Sequence, residues 1–315
     1  MLIVLAMVLS GCSGYPKGVE RPRETDYRSG TKGLELSFPA DTFSKLYEND
    51  DARFIVEIKN RGAFPQFDEL SEFRGFLWIG GYDTTVVELA PQEGHRELDA
   101  NALEGKSEIN RDGGYSAVVM EGRTFNLPQG TPYYRTPIIV TATYTYKTIA
   151  TATICVDPNP RSPDVREKVC KVSEYGSVAL RGSQGAPVAV TSIEEDVTAN
   201  SLLFRINVQN VGGGLIINEN DIDNDPNHLG YEWDSLDKVY IRDVSIGNLH
   251  LDSGGQCRPD VGEYLKLING KGYIFCKMPT GGVSGVYKAP LNIQIEYAYS
   301  NSIQRDIEVF RELNY

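Results

Sequence analysis

The sequence has few of the residues on which most catalytic and metal sites depend. It contains 3 His and 5 Cys in 315 residues, and no G-x-S-x-G, H-E-x-x-H or P-loop pattern occurs. Zinc sites need clustered Cys and His, and the sequence has no such cluster. We therefore expect a protein that is not an enzyme and that has no cofactor, with one alternative at an acidic loop considered below.

Basic residues are also scarce relative to acidic ones. The chain has 31 Lys and Arg against 43 Asp and Glu, a formal net charge of −12. Because a phosphate backbone is bound by a basic surface, this balance excludes nucleic acid as the expected partner. Apolar residues make up 41% of the chain, which is enough for a packed core.

An unbroken apolar run occupies residues 2–9, and it is too short for a transmembrane helix, which needs about 20 residues. The run and the small residues after it match a secretory signal, so residues 1–11 are predicted to be a signal peptide. Residues 9–12, Leu-Ser-Gly-Cys, resemble the lipobox of prokaryotic lipoproteins, although the basic residue that usually precedes the run is missing. The resemblance implies that Cys12 carries a lipid and holds the protein at the outer face of a membrane. An ordinary signal peptide and an uncut anchor are the alternatives.

Residues 12–32 are polar and rich in Gly, Pro and charge, which predicts a flexible tether. Without Cys12, four cysteines remain, and three pairings are open to them. Local pairing is the simplest for separately folding domains and joins Cys155 to Cys170 and Cys257 to Cys276; free thiols are the alternative. Each bridge would close a loop of about 15 to 20 residues, worth roughly 3 kcal/mol. Stable disulfides indicate an oxidising compartment outside the cytoplasm.

An internal repeat organises the rest of the chain. Three pairs of segments carry it, at offsets of 150 to 153 residues: 54–62 with 204–212, 122–125 with 272–275, and 137–146 with 290–299. Several matches in one order indicate a duplication. We therefore predict two domains, residues 33–156 and residues 187–311, joined by a linker at 157–186 that the Cys155–Cys170 bridge would hold in place.

The repeated segments alternate apolar and polar residues with a period of two, which indicates strands with one face on a core. The predicted fold class is all-β, with two tandem immunoglobulin-like antiparallel β-sandwich domains and a few short helices in loops. The Asn-x-Gly that ends each copy of the first segment reads as a turn, because both residue types tolerate positive φ. Hairpins are expected around residues 147–148, around residues 300–302 and at Asn269-Gly270.

Strand-Asn-x-Gly near the start of such a sandwich resembles the CARDB-type, immunoglobulin-like domains of prokaryotic cell-surface proteins. The resemblance implies an adhesive or scaffolding role at the cell surface and names no ligand.

One loop is dense in oxygen ligands. Asp221, Asp223 and Asp225 have the alternate spacing of a calcium loop, and Glu232 stands at the twelfth position counted from Asp221. Pro226 occupies the place where an EF-hand requires Gly, so a true EF-hand is not expected. A looser calcium site and a solvated acidic loop are the two interpretations.

Four tyrosines also stand out, and they are read either as packing on a sheet face or as a platform for stacking sugars: Tyr144, Tyr146, Tyr297 and Tyr299.

The leading functional hypothesis is a non-catalytic surface lipoprotein that binds or scaffolds a protein or polysaccharide. The first alternative is a structural subunit of an extracellular filament or surface layer, assembled by strand addition through residues 13–32 or the sheet edges. The second is a substrate-binding or enzyme-accessory lipoprotein, which would bring the acidic loop and the tyrosines into one pocket.

Overall fold

The structure is a computed structural model, and it describes part of the chain. The described residues are 27–40, 45–90, 95–159, 168–172, 177–180, 183–198, 200–223, 231–252, 254–281 and 283–311. The predicted signal peptide, Cys12 and Asp225 lie outside these residues. Among the described residues, none of the helices combines the length and apolar character needed to cross a bilayer.

The described residues form mainly β-strands. The strands are β1 (Leu34–Ser37), β2 (Lys45–Tyr47), β3 (Asp51–Asn60), β4 (Gly75–Gly80), β5 (Val87–Leu89), β6 (His95–Glu97), β7 (Tyr115–Thr124), β8 (Tyr133–Val156), β9 (Ser177–Ala179), β10 (Val188–Val197), β11 (Ser201–Asn210), β12 (Leu215–Ile217), β13 (Lys238–Ile246), β14 (Leu249–His250), β15 (Cys257–Arg258), β16 (Tyr264–Lys266), β17 (Lys271–Pro279) and β18 (Tyr287–Phe310). Short 3-10 helices span Phe67–Glu72, Glu219–Asp221 and Trp233–Ser235. The predicted all-β class is confirmed.

The strands form three sheets. The first outer sheet has the order β1-β3-β7-β5, and the second outer sheet has the order β15-β17-β11-β10-β9. The central sheet runs β14-β13-β18-β8-β4-β6, with β2, β12 and β16 added at its sides. The pairs are antiparallel except for β2, which runs parallel to the end of β18.

Alternating burial explains why these segments are strands. In β3, Phe54, Val56 and Ile58 are buried while the residues between them are partly exposed, and β11 repeats this pattern with Phe204 and Ile206. Each strand has one apolar face, and this face packs against the central sheet, as the period of two predicts.

β8 and β18 are the longest strands and form the middle of the molecule. Each has 24 residues, and they pair along their whole length, from Tyr133 opposite Phe310 to Val156 opposite Tyr287. The hairpins predicted around residues 147–148 and 300–302 are therefore wrong. Both segments lie in the middle of an unbroken strand.

The physical reason is that Lys147 and Thr148, polar residues expected in a turn, find ionic and hydrogen-bond partners within the folded protein. The Lys147 ammonium lies between the carboxylates of Glu69 and Glu72, with its Nζ 3.1 Å and 2.5 Å from them. The Thr148 hydroxyl donates to the carbonyl oxygen of Val188 at 2.7 Å. With these partners, no turn is needed to bring the polar side chains to water.

The hairpin predicted at Asn269-Gly270 is confirmed. Asn269 and Gly270 have φ of 51° and 72°, the left-handed values that a two-residue hairpin turn requires. Ile268 and Lys271 exchange backbone hydrogen bonds across the turn at 2.8 and 3.1 Å.

Both outer sheets cover the same face of the central sheet, and the two repeats share one core. The Tyr144 and Tyr297 side chains point to the same side, and their hydroxyls accept from the backbone of β1 and of β10 respectively. Buried apolar residues of both repeats belong to one continuous cluster. That each repeat forms an immunoglobulin-like domain stays a prediction, since the repeats share their middle sheet.

Because the repeats share a core, a substitution that destabilises one repeat should also lower the unfolding free energy of the other. Ile206→Ala in the second repeat removes a fully buried side chain and should cost about 2–5 kcal/mol of unfolding free energy. In a Trp233→Phe background, fluorescence of Trp78 in the first repeat should report an unfolding midpoint lowered by the same amount. Ile268→Ala, which truncates an exposed side chain, is the control. If Ile206→Ala left the unfolding midpoint reported by Trp78 unchanged, the repeats would unfold separately.

Candidate functional site

The four tyrosines of the sequence analysis meet at the centre of the molecule. In the antiparallel register, Tyr144 lies opposite Tyr299 and Tyr146 lies opposite Tyr297. All four are buried, with exposed fractions of 1 to 2%. Burial raises the pKa of Tyr144 and Tyr297 well above the usual range, so both hydroxyls stay protonated. These side chains pack between sheets and cannot stack on a sugar from solvent.

The tyrosine hydroxyls hold the outer sheets to the central sheet. Tyr144 accepts from the Leu34 N–H at 3.0 Å, and its counterpart Tyr297 accepts from the Val188 N–H at 3.1 Å. In the same way Tyr146 accepts from an N–H in the loop after β3 at 3.0 Å. Tyr299 accepts from an N–H in the loop after β11 at 2.6 Å. The two repeats therefore use equivalent hydrogen bonds, related by the antiparallel pairing of β8 and β18.

The Asn-x-Gly at the ends of β3 and β11 serves this junction. The Asn60 amide donates to the carbonyl oxygens of Phe64 at 2.9 Å and Leu103 at 2.7 Å. A Cβ on Gly62 would lie 1.9 Å from the Tyr146 hydroxyl oxygen, so only Gly fits there. Neither glycine of the two motifs has a positive φ. The expectation of positive φ is wrong, and close approach of the tyrosine explains the glycine.

Tyr297→Phe should destabilise the protein by about 1–3 kcal/mol, because it leaves the buried Val188 N–H without an acceptor. Urea unfolding of the variant measures this loss. Tyr273→Phe, at a half-exposed tyrosine, should change stability by less than about 0.5 kcal/mol. Equal effects of the two changes would contradict the role of the buried hydroxyl.

The structure joins Cys155 to Cys170 and Cys257 to Cys276, the local pairing that the sequence predicts. The two disulfides indicate an oxidising environment. Beside the first of them, Lys168 and Asp157 form a buried ion pair with 2.7 Å between Nζ and Oδ2. Lys168 and Cys170 of the linker are thus held against the end of β8, one by an ion pair to Asp157 and the other by the disulfide to Cys155.

Glu195 lies buried beside the same disulfide. Its carboxylate accepts a 3.4 Å hydrogen bond from the Cys155 N–H, and its second oxygen has no partner among the described residues. Burial raises the pKa of Glu195 to about 7. The protonated form is therefore favoured in the folded state relative to the unfolded chain.

A carboxyl whose pKa is raised on folding contributes stability below its unfolded pKa and loses it as pH rises through the folded value. The wild-type protein should therefore lose stability between pH 5 and pH 8 relative to Glu195→Gln. Thermal melting of both proteins at the two pH values measures the difference. Glu194→Gln, at a neighbouring side chain 47% exposed, is the matched control and should not change the pH dependence. A parallel pH dependence in wild type and Glu195→Gln would contradict the assignment.

The described start of the acidic loop, residues 218–223, lies on the opposite face of the central sheet from the tyrosines. Ile222 is fully buried there in a small cluster with Ile217 and Ala298. The Asp223 carboxylate lies 3.4 Å from the Arg74 guanidinium, and Glu232 precedes the short helix Trp233–Ser235. The described residues of the acidic loop therefore do not share a pocket with the tyrosines.

Within the described part of the chain, which lacks Asp225, no three His, Cys, Asp or Glu side chains are grouped as metal ligands would be. Asp221 and Asp223 flank the buried Ile222. The calcium site stays a prediction.

One His–Asp pair occurs near a hydroxyl. His250 Nδ1 lies 2.7 Å from Asp243 Oδ1, and the Ser245 hydroxyl donates to the other oxygen of Asp243 at 2.9 Å. The hydrogen bond to the Asp243 carboxylate raises the pKa of His250. Because the serine donates to the aspartate and not to the histidine, this arrangement is not that of an activated nucleophile.

An open groove with a volume of about 510 Å³ lies between the outward face of β15 and β17 in the second outer sheet and strand β16 at the side of the central sheet. Its lining is made of Arg258, Pro259, Leu265, Lys266, Ile268, Lys271, Gly272, Tyr273 and Phe275. Three of these residues are basic and none is acidic. Tyr273 and Phe275 are 51% and 40% exposed. This aromatic and basic groove is the candidate functional site.

Cations lie against the rings at and beside the groove. The Arg205 guanidinium is 4.5 Å from the centre of the Tyr273 ring, and the Lys266 ammonium is 4.8 Å from the centre of the Trp233 ring. Trp233 is 79% exposed. Lys271 forms no ion pair within the described residues, so its charge is available to a ligand.

The second disulfide holds the groove together. Cys257 of β15 lies directly opposite Cys276 of β17, and the next pair in the register is Arg258 opposite Phe275. The bridge thus ties one wall of the groove to its floor. A fixed wall and floor lower the entropy lost on binding.

The first outer sheet carries different chemistry at the equivalent place. Phe54 of β3 lies opposite Met120 of β7, and its counterpart Phe204 of β11 lies opposite Cys276 of β17, so Tyr115, Ala117 and Val119 stand where the groove has Lys271, Tyr273 and Phe275. None of these three side chains is basic, and the Tyr115 hydroxyl donates to the Glu57 carboxylate at 3.0 Å. The two repeats therefore share an inner face and differ on the outer one.

The groove was not among the sites predicted from the sequence. The available signal was the outward set of β17, Lys271, Tyr273, Phe275 and Lys277, which alternates with buried residues. Its neighbours Arg258 and Lys266 come from other strands and need the tertiary structure to be recognised.

Comparisons with known proteins identify no family. No family model matches the chain, and no curated protein matches it closely enough to count. Among solved structures, a chain titled "BspA_C_WT" is 8% identical, with 87% of this chain and 99% of that chain covered, and has a TM-score of 0.18. A TM-score this low carries no argument about fold or function.

Proposed function

We propose that the chain is a non-catalytic binding module of the cell surface, held at a membrane by a lipid on Cys12. The observation that carries the proposal is the aromatic and basic groove, an exposed surface kept in shape by a disulfide. Exposed aromatic side chains mark interaction surfaces on soluble proteins, and Lys271 beside them has no ion pair among the described residues. The disulfides support export, because they persist in oxidising compartments.

The frame beneath the groove supports a display role. β8 and β18 each have 24 residues, so an extended ladder of about 80 Å runs through the molecule at the usual rise per residue. Both outer sheets are fastened to the same face of this ladder by tyrosine hydroxyls. Such a frame would hold the groove in one orientation relative to the first outer sheet.

The filament alternative draws less support from the sheet edges. The end strands of the three described sheets are β1, β5, β15, β9, β14 and β6, and each has two to four residues. Short edges offer an incoming strand few hydrogen-bond partners. Residues 13–26, the other proposed route to strand addition, lie outside the described residues.

The anchor is tested by Cys12→Ala. The wild-type protein should incorporate radiolabelled lipid and remain with the membrane fraction, whereas the variant should carry no label and be released as a folded, disulfide-bonded protein. Melting of the released variant checks that it is folded. Lipid incorporation that is unaffected by the substitution would contradict the anchor, and filaments of the native protein in electron microscopy would favour the structural-subunit alternative.

A further inference from the structure

We propose that the groove on the second outer sheet binds a segment of an anionic polysaccharide, an assignment that rests on the proposed binding function and names its ligand class. The groove juxtaposes two exposed rings, Tyr273 and Phe275, with three cationic side chains, Arg258, Lys266 and Lys271.

The rings account for the sugar part of the ligand. Tyr273 and Phe275 alternate along β17, so both project from the same face of the sheet. Their spacing along one strand is about 7 Å, comparable with the size of one sugar ring. The C–H face of a pyranose packs on an aromatic ring, while its hydroxyls stay in water. Two exposed rings in a row therefore suit consecutive sugar units of a chain.

The cations account for the negative charge of the ligand. The whole chain has a formal net charge of −12, yet the groove lining contains Arg258, Lys266 and Lys271 with no carboxylate. Arg258 pairs with Asp260 at the groove margin, 2.5 Å away, and the Lys266 ammonium donates to the Leu236 carbonyl oxygen at 2.6 Å, which leaves Lys271 as the groove cation with no such partner among the described residues. A local positive surface on an acidic protein attracts an anion while the rest of the surface repels it.

The duplication provides an internal comparison. The registers of β3 with β7 and of β11 with β17 place Tyr115, Ala117 and Val119 where the groove has Lys271, Tyr273 and Phe275. The same strand frame therefore carries a cation beside two aromatic rings in the second repeat and no cation at the equivalent positions of the first. Folding alone does not require the second arrangement.

The shape of the groove favours a polymer over a small molecule. Ligand pockets for small molecules enclose most of the ligand surface, whereas this groove is open along the strand. Trp233, held against Lys266, extends the aromatic surface beyond the groove. An extended chain can use these contacts in series.

The test uses the exported, disulfide-bonded protein and three soluble polymers in affinity electrophoresis and calorimetry. Polygalacturonate supplies sugar rings and carboxylates, dextran supplies rings without charge, and polyacrylate supplies carboxylates without rings. Polygalacturonate should bind, with an affinity that falls as salt increases, and the other two should bind at least about tenfold more weakly.

Variants locate the site. Tyr273→Ala and Lys271→Ser should each weaken binding of polygalacturonate by about tenfold, since one removes a ring and the other an unpaired charge. Arg123→Ser is the control, because it removes an exposed basic side chain from the outer sheet of the first repeat, outside the groove, and should leave binding unchanged. All three positions are exposed, and unchanged melting temperatures confirm that the variants fold.

Each remaining outcome would overturn the assignment. Equal binding of polyacrylate would mean that charge alone is recognised, and equal binding of dextran would mean that the cations have no role. Absence of polygalacturonate binding, or binding that Arg123→Ser weakens as much as Lys271→Ser, would remove the polysaccharide from this groove. These results would not contradict the proposed surface module if Cys12 is lipidated. A protein that is neither lipidated nor exported would contradict the proposed surface module itself, whatever the groove binds.

Discussion

The antiparallel ladder between β8 and β18 is the interaction on which the rest of the structure depends. It pairs 24 residues with 24 residues and places the two copies of a duplicated segment side by side in one sheet. Strands from both repeats then add to its sides, and both outer sheets pack on one of its faces. A sheet edge that would otherwise be exposed in each repeat is thereby covered by the other repeat.

The ladder requires polar groups at its centre to be satisfied, since two layers of sheet exclude water there. Tyrosine hydroxyls, Asn60 and Asn210 fill this need with hydrogen bonds to backbone groups in β1, β10 and the loops after β3 and β11. The contacts of Tyr144 with Leu34 and of Asn60 with Phe64 have counterparts in those of Tyr297 with Val188 and of Asn210 with Gly214. Leaving such groups unpaired in a buried junction would cost about 1–3 kcal/mol each. The repeat therefore preserves its inner residues as a connected set.

The outer faces are free of this constraint, and there the repeats differ. The first outer sheet pairs its arginines with glutamates, and the second exposes Tyr273, Phe275 and Lys271 beside a disulfide. Surface positions contribute little to folding, so their chemistry can follow function instead of stability. The groove is therefore distinguished by its difference from the equivalent outer face of the first repeat.

The sequence by itself determined the all-β class, the repeat and the Asn269-Gly270 turn, because period-two patterns, spacing and turn chemistry are local properties. It favoured the local disulfide pairing, and the tertiary structure decided it. Only the tertiary structure decided that residues 147–148 and 300–302 continue a strand. A period of two is the same in one long strand as in two short ones, and the partners of Lys147 and Thr148 come from distant segments. The groove was decided in the same way, since Arg258, Lys266 and Tyr273 belong to different strands that only packing brings together.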